Sequence, residues 1–244
     1  MKTKLVVTLI SSALLIAGCG SKSEDAAKAP AAGGLADLKS PAAVQAATAN
    51  TSKRGDASKP LTEYREISGG NDLMFLYYAQ LGIPVDYDKV AQIYSEDYRR
   101  TSDTFKKQDI VNALKPRIDS QIEAARSGRY VIWTIDSPYN SLLSSYRMET
   151  KSFPVQQLTA DAFYYFTDNA SGYHISFANA EDFKSLTVPD EGKARAIEAM
   201  VSKNAGMRMR IYAFVQDADP SNTTVKAQIM KIKISGKNGE SIWD

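Results

Sequence analysis

The sequence predicts an α+β domain: N-terminal helices followed by a mostly antiparallel, curled sheet or partly open barrel, with one inserted helix. Three observations carry this. Up to Gly128 the apolar residues recur at steps of three and four. After Gly128 they alternate or run unbroken in short stretches bounded by turn residues. One late stretch, Val225 to Ile234, changes its alternation phase by one residue, which is the mark of a β-bulge and of a bending strand.

In chain order, the helical pattern begins at Tyr64. Asn71-Asp72 caps Leu73 to Leu81, a segment apolar on nearly every side and therefore buried, and Gly82 ends it at a C′ position. Asp86 caps a second helix whose inner face is Tyr87, Val90, Ala91 and Tyr94. Thr101 or Ser102 opens a third, with Phe105, Val111, Leu114, Ile118, Ile122 and Ala125 inward, a kink or break at Pro116 and an end at Gly128.

Arg129 to Asp136 is apolar on both faces and reads as a central strand. Tyr146 to Phe153 alternates as a second strand stopped by Pro154. Ala162–Thr167 and Tyr173–Phe177 flank a five-residue loop and form a hairpin. Asn179 begins a short capped turn, and Pro189-Asp190-Glu191 starts a helix with Ala194, Ile197 and Val201 inward. Met207–Gln216 and its return strand follow, joined by Asp217–Asn222, with the bulge placed near Ile229-Met230. Asn238-Gly239 then folds Glu240–Trp243 back onto the sheet.

Ahead of this domain the composition is different. Met1–Lys4 is a short basic head, Leu5–Ile16 an apolar run, and Leu15-Ile16-Ala17-Gly18-Cys19 closes it. The run is too short for a ~30 Å hydrocarbon core, which needs about 20 residues, so an uncleaved span is disfavoured. The pattern resembles the lipobox of a bacterial lipoprotein signal. That resemblance implies removal of residues 1–18 and acylation of Cys19, the chain's only cysteine. A soluble export signal would instead leave a lone reactive thiol just past the cut.

Residues 20–60 hold no aromatic side chain, whereas all 23 aromatics lie from Tyr64 onward. Such a segment cannot offset the entropy of ordering itself and is expected to be a disordered tether over 19–60, with a mean reach of about 35 Å. The expected folded domain is 61–244, helical over 61–128 and β-rich over 129–244. It carries 22 basic and 24 acidic residues, a balance without a nucleic-acid footprint.

Signatures of chemistry are sparse, and no catalytic, metal or cofactor site is predicted. His174 is the single histidine; Ser171 lies near it in sequence but across a turn. Gly-x-Ser-x-Gly is absent from the sequence, and Ser-x-x-Lys from the expected domain. One His and an acylated Cys make no zinc centre. Asp217-Ala218-Asp219 begins like a calcium loop but lacks its glycine and terminal Glu. Asp136, Glu149, Asp161 and Asp168, near strand ends, are the acids from which a glycoside hydrolase would draw its pair. Among aromatics, Tyr64, Tyr98, Tyr139 and Tyr146 fall at element edges, and Tyr98-Arg99-Arg100 is the candidate exposed cluster for a partner.

Together, the lipobox, the Ala-rich tether, Asp72-Leu-Met-Phe-Leu-Tyr-Tyr and Tyr98-Arg-Arg-Thr-Ser-Asp-Thr-Phe-Lys resemble a lipoprotein family of Gram-negative bacteria whose domain has no assigned function. The resemblance carries over no catalytic residue. It implies anchoring in membrane lipid through Cys19. Gly20-Ser21 lack the Asp that retains some lipoproteins at the inner membrane, so the periplasmic leaflet of the outer membrane is expected, with the periplasmic side of the inner membrane as the alternative. The expected function is a non-enzymatic binding or structural module facing the periplasm, its partner an envelope protein or peptidoglycan. Alternatives are a carboxylate-dependent hydrolase of envelope glycan, and a lipid-handling domain with an apolar groove in a curled sheet.

Overall fold

The computed structural model describes residues 53–160 and 162–244. The expected signal peptide, Cys19, the tether up to residue 52 and Asp161 lie outside them. Among the described residues no helix is long and apolar enough to cross a membrane.

Four helices come first: α1 (Gly70–Leu81), α2 (Tyr87–Tyr94), α3 (Glu96–Arg100) and α4 (Thr104–Ser127). Every residue from Leu73 to Ala79 is buried, as the all-round apolar pattern requires, and Gly82 takes the left-handed C-cap with φ 61°. Asn71-Asp72 does not cap this helix. Gly69 is the N-cap, and Asp168 accepts the Gly70 N–H at 2.8 Å from across the fold. Asp72 instead accepts from Arg65 and Ser68. Asp86 caps α2 as expected, accepting from the Lys89 N–H.

Helix α4 starts later than Thr101-Ser102. Asp103 is its cap, accepting from the N–H groups of Phe105 and Lys106. It then runs unbroken through Pro116, so the expected break is absent. Pro116 and Asn112, whose carbonyl loses its donor, are both on the exposed side, where water takes the donor's place. Phe105, expected inside, is 85% exposed.

The remaining elements form a seven-stranded mixed sheet: β1 (Arg65–Glu66), β2 (Tyr130–Ser137), β4 (Phe163–Tyr164), β5 (His174–Phe177), β7 (Met207–Asp219), β8 (Thr224–Gly236) and β9 (Ser241–Trp243). Its order is β1-β2-β7-β8-β5-β4, with β9 on β8 beyond β5. The β1/β2 and β5/β8 pairs are parallel and the others antiparallel. A separate ribbon pairs β3 (Ser152–Pro154) with β6 (Ser185–Thr187), and α5 (Glu191–Ser202), capped by Asp190, is the inserted helix.

Several strands differ from their sequence limits. The helical pattern expected from Tyr64 is a 3₁₀ turn at Leu61–Glu63 followed by β1, because pairing with Val131 and Ile132 outweighs local propensity. Tyr146–Phe153 is a tight turn rather than one strand. Arg147 and Ser152 exchange two backbone hydrogen bonds, and Lys151 sits at φ 48°. The 162–177 hairpin pairs only Phe163–Ser176 and Tyr164–Ile175, so its loop is longer than five residues. The long hairpin extends to Asp219 and Thr224, shortening the expected turn.

The phase slip in β8 is confirmed: Tyr212 pairs Lys231 and Ala213 pairs Ile229, leaving Met230 as the extra residue. A second slip leaves Gln216 unpaired in β7. These bulges go with a strong curl. Trp133 of β2 meets Phe166, just past β4, at 4.8 Å between ring centroids, although three strands separate β2 from β4 in the sheet. The sheet is curled but does not close into a barrel.

The inner face presents Val131, Met209, Ile211, Val215, Val225, Ala227, Ile232 and Ile234 to the main core, where α1 packs on β7, β8 and β5 and α4 backs α1. That face is filled by side chains, which removes the apolar groove of the lipid-handling reading. The outer face has its own small core of Tyr64, Ile132 and Tyr212, flanked by Leu61, Tyr130 and Met230. Residues 53–60 run over it: Gln216 Nε2 donates to the Lys53 carbonyl at 2.7 Å, and the Asp56 N–H donates to the Tyr130 hydroxyl at 2.8 Å. The folded part therefore begins at least eight residues before the expected boundary at 60/61.

Candidate functional site

The open seam between β2 and β4 is the feature that stands out. β1 is two residues long and covers β2 only at Val131 and Ile132; the Ile67 N–H then bonds the Ile132 carbonyl, and the chain turns away into α1. Backbone groups of Ile132 thus face the β1 side. By the two-residue repeat of a strand, those of Thr134 and Asp136 face the same uncovered edge.

A cavity of about 420 Å³ lies here, walled by Trp133, Thr134, Ile135 and Asp136 on one side and Gln157 with Phe163–Phe166 on the other. A second, of about 520 Å³, shares Thr134, Asp136 and Phe166 with it and continues past Glu66, Ser68, Arg208 and Arg210. Both sizes fall within the range of ligand clefts.

The aromatic wall has two layers set by strand alternation. Tyr164 and Phe166 point inward. Tyr164 packs on Phe177 at 5.5 Å and on Trp133 at 6.1 Å, and its hydroxyl donates to the Gln157 carbonyl. Burial pushes its pKa up to about 12. Phe163 and Tyr165 point outward, 55% and 51% exposed. The His174 ring lies against both, 4.9 Å from Phe163 and 5.5 Å from Tyr165. His174 Nδ1 is 3.2 Å from the Asn222 carbonyl. A carbonyl only accepts, so Nδ1 carries the proton and Nε2 is the free position. Trp133 is buried, and its indole Nε1–H finds no acceptor among the described residues.

Beyond the rings the cleft is polar. Arg208 binds Asp136 through two nitrogens, Nε at 2.5 Å and Nη2 at 3.3 Å, and the carboxylate raises the guanidinium's pKa further. Arg210 Nη2 donates to Glu66 at 2.7 Å, and Thr134 donates to the same carboxylate. No Asp or Glu among the described residues is buried. A glycosidase's proton donor needs a carboxyl whose pKa is raised by its surroundings. Asp136 is held by an arginine, Glu149 is exposed in a turn, and Asp168 accepts the N–H of Gly70 at the start of α1 and that of Ala170 in its own loop. Asp161 lies outside the described residues. Of the three, only Asp136 lines the two cavities.

Comparison with protein families, with curated protein sequences and with solved structures gave no match to this chain.

The sequence-level cluster at Tyr98, Arg99 and Arg100 is used within the fold. Tyr98 is buried, its hydroxyl donates to Asp88 at 2.7 Å, and the Lys107 ammonium lies 4.9 Å from its ring. The Asp88 hydrogen bond raises the phenol's pKa. Arg99 donates to the carbonyls of Gln92 and Ile93 at the end of α2, and Arg100 pairs with Glu96. The tyrosine is thus a packing residue, not an exposed platform. Ser95 caps α3 by accepting from the Tyr98 N–H.

The acids of the calcium-like run are engaged separately. Asp217 pairs with Lys53, and Asp219 with Lys226 and Ser221, contacts that hold the Asp219 carboxyl down at about 2. Among the described residues no group of three or more His, Cys, Asp or Glu is placed to hold a metal. The seam residues Trp133, Gln157, Phe163 and Tyr165 were not singled out from sequence. The four-aromatic run Phe163–Phe166 is the signal for them in the sequence, where its pattern predicts a strand.

Proposed function

We propose that this chain is a lipid-anchored, non-enzymatic binding module of the cell envelope. Cys19 holds it in the periplasmic leaflet of the outer membrane, and a component of the envelope enters the seam cleft between β2 and β4. The lipobox and its resemblance to Gram-negative lipoproteins support the anchor. The observation that carries the binding role is the exposed pair Phe163 and Tyr165 around His174, at the mouth of a cleft floored by Trp133. Large exposed rings beside a cleft are costly to keep in water and effective in recognition. A hydrolytic role is not favoured, because the cleft carboxylates Glu66 and Asp136 are each committed to an arginine.

Two measurements test the reading. Palmitate labelling of the wild-type chain, absent in Cys19→Ala, checks the anchor; an unlabelled wild-type product would remove it. Co-sedimentation of the lipid-free Cys19→Ala chain with delipidated envelope material checks binding. Phe163→Ala with Tyr165→Ala is expected to abolish it while changing stability by less than about 0.5 kcal/mol per site, as for other exposed positions. Sedimentation unaffected by that double substitution would rule out the cleft.

A further inference from the structure

Resting on that reading, we infer that the component entering the seam cleft is an extended polypeptide segment, which joins the sheet as a strand between β2 and β4. What points to this chemistry is main chain left unpaired on both walls. On the β2 wall the backbone groups alternate in direction. The Arg129 carbonyl accepts from Val215 of β7, and the Ile132 carbonyl accepts from Ile67 on the opposite side. The N–H and C=O groups of Thr134 and Asp136 therefore face away from β7. Among the described residues none of these four groups has a hydrogen-bond partner, because the chain leaves β1 for α1 after Ile67. Thr134 is half-buried and Asp136 exposed, so the edge is open to a partner.

The β4 wall has the same character. β4 is the last strand in the sheet order and pairs with β5 alone, through Phe163 and Tyr164. Its second edge is free, and Tyr165 and Phe166 beyond it have no main-chain partner among the described residues. The two free edges belong to one curled sheet and confront each other. The Trp133 ring of β2 lies 4.8 Å from that of Phe166 and 6.1 Å from that of Tyr164. A strand laid between them has an edge to pair with on each side and completes the ring of strands.

These groups also choose the class of occupant. On β2 a donor and an acceptor recur together at every second residue, about 7 Å apart. Another main chain carries the same set at the same repeat; sugar hydroxyls and lipid headgroups do not. A second copy of this chain is a poor fit, since its own β2 arrives with a sheet attached and the cleft has a wall on either side. Alternation then sets the sequence that enters. Side chains on the inner face meet Trp133, Ile135, Tyr164 and Phe166, which calls for apolar residues. Those on the outer face lie between Thr134 and Asp136 on one side and Phe163 and Tyr165 on the other, where threonine serves well.

The mature lipidated chain in detergent micelles is titrated with a fluorescein-labelled heptapeptide alternating valine and threonine, read by anisotropy against empty micelles. Saturable binding is expected. The same peptide with every second amide N-methylated should bind at least about tenfold more weakly, because either set of methyl groups blocks one wall. In the complex, hydrogen exchange at the Thr134 and Asp136 amides should slow by at least about tenfold. Thr134→Pro removes one cleft-facing N–H and leaves the β2/β7 ladder to the odd-numbered residues. It should weaken the peptide by at least about tenfold. Thr134→Val loses only the hydroxyl bond to Glu66, and should bind at least about fivefold more tightly than Thr134→Pro. Should Thr134→Pro not fold, the methylated and unmethylated peptides on the unsubstituted chain decide.

No saturable binding, equal affinity for the two peptides, or unchanged exchange at Thr134 and Asp136 would overturn the inference. So would a folded Thr134→Pro chain that binds as the wild type does. If the peptide fails while co-sedimentation with envelope material persists and survives protease treatment of that material, the ligand is a glycan or another non-protein component. The added-strand assignment then falls and the binding-module reading stands. If co-sedimentation also fails, both fall.

Discussion

The Asn179 side-chain amide pairs with both backbone groups of Ile229: Nδ2 donates to the carbonyl at 3.1 Å, and Oδ1 accepts the N–H at 2.8 Å. β5 has by then left the sheet, since its last rung is Phe177 with Ala227 and the Ala178 N–H bonds the Ala227 carbonyl. Asn179 acts as one more rung at the β8 bulge, where a regular strand partner is unavailable. Asn179→Ala leaves two groups of a buried residue unpaired and is expected to cost about 2–3 kcal/mol. Asn179→Asp keeps the acceptor but sets a carboxylate against a carbonyl, and should cost at least as much. Urea unfolding of both variants checks this, and a loss below about 0.5 kcal/mol would show that water replaces the rung.

Gly55, in the N-terminal strap of residues 53–60, lies against the outer face of the sheet. A Cβ there would lie 2.6 Å from Met230 Sδ and 2.8 Å from Phe214 Cβ. Met230 is able to swing aside; the Cβ of a strand residue is not. Gly55→Ala should lift the strap, at a cost of about 1–3 kcal/mol. Trypsin cleavage after Lys53, whose carbonyl accepts from Gln216 and whose ammonium pairs with Asp217, should become faster, whereas an unchanged cleavage rate would mean that the strap adapts.

Pro116 interrupts the hydrogen bonding of α4 without ending it. Replacing it by Ala restores a donor to the Asn112 carbonyl and removes the ring's clash with that turn, at some loss of unfolded-state restriction. A net gain of about 1–2 kcal/mol is expected, or roughly 2–8 °C in Tm for a domain of this size. A lower Tm would show that a bend in the helix is needed for its packing on α1.

Tyr64 and Tyr164 are among the tyrosines that make the fold sensitive to alkali. Burial, with smaller contributions from Tyr130 and Asp56, raises Tyr64 from the ordinary value of 10 to about 12, and burial does the same to Tyr164. The unfolded chain releases these protons first, so their contribution is complete below pH 10 and is lost as pH rises through 12. Tyr64→Phe keeps the ring contacts with Tyr130 and Tyr212, at 5.2 and 5.4 Å, and removes one ionisable group. Its stability should fall less steeply than that of the wild type between pH 10 and 12. Parallel curves would show that Tyr64 ionises over the same pH range folded as unfolded.

What the sequence determined on its own was whatever local geometry repeats. Steps of three and four gave α2, α4 and α5, a segment apolar on all sides gave α1, the unbroken run gave β2, and a one-residue change of phase gave the bulge at Met230. Gly82 and Asn238-Gly239 marked a helix end and a hairpin, because few residues tolerate those backbone angles.

What only the tertiary structure decided was which distant elements meet. Two residues of β1 become a strand because Val131 and Ile132 offer an edge, and Tyr98 turns inward because α2 and α4 enclose it. The seam cleft needs Trp133 and Phe166 to approach across a curled sheet. Sheet curl is the accumulated sum of twist and bulges over several strands, so no window of sequence contains it.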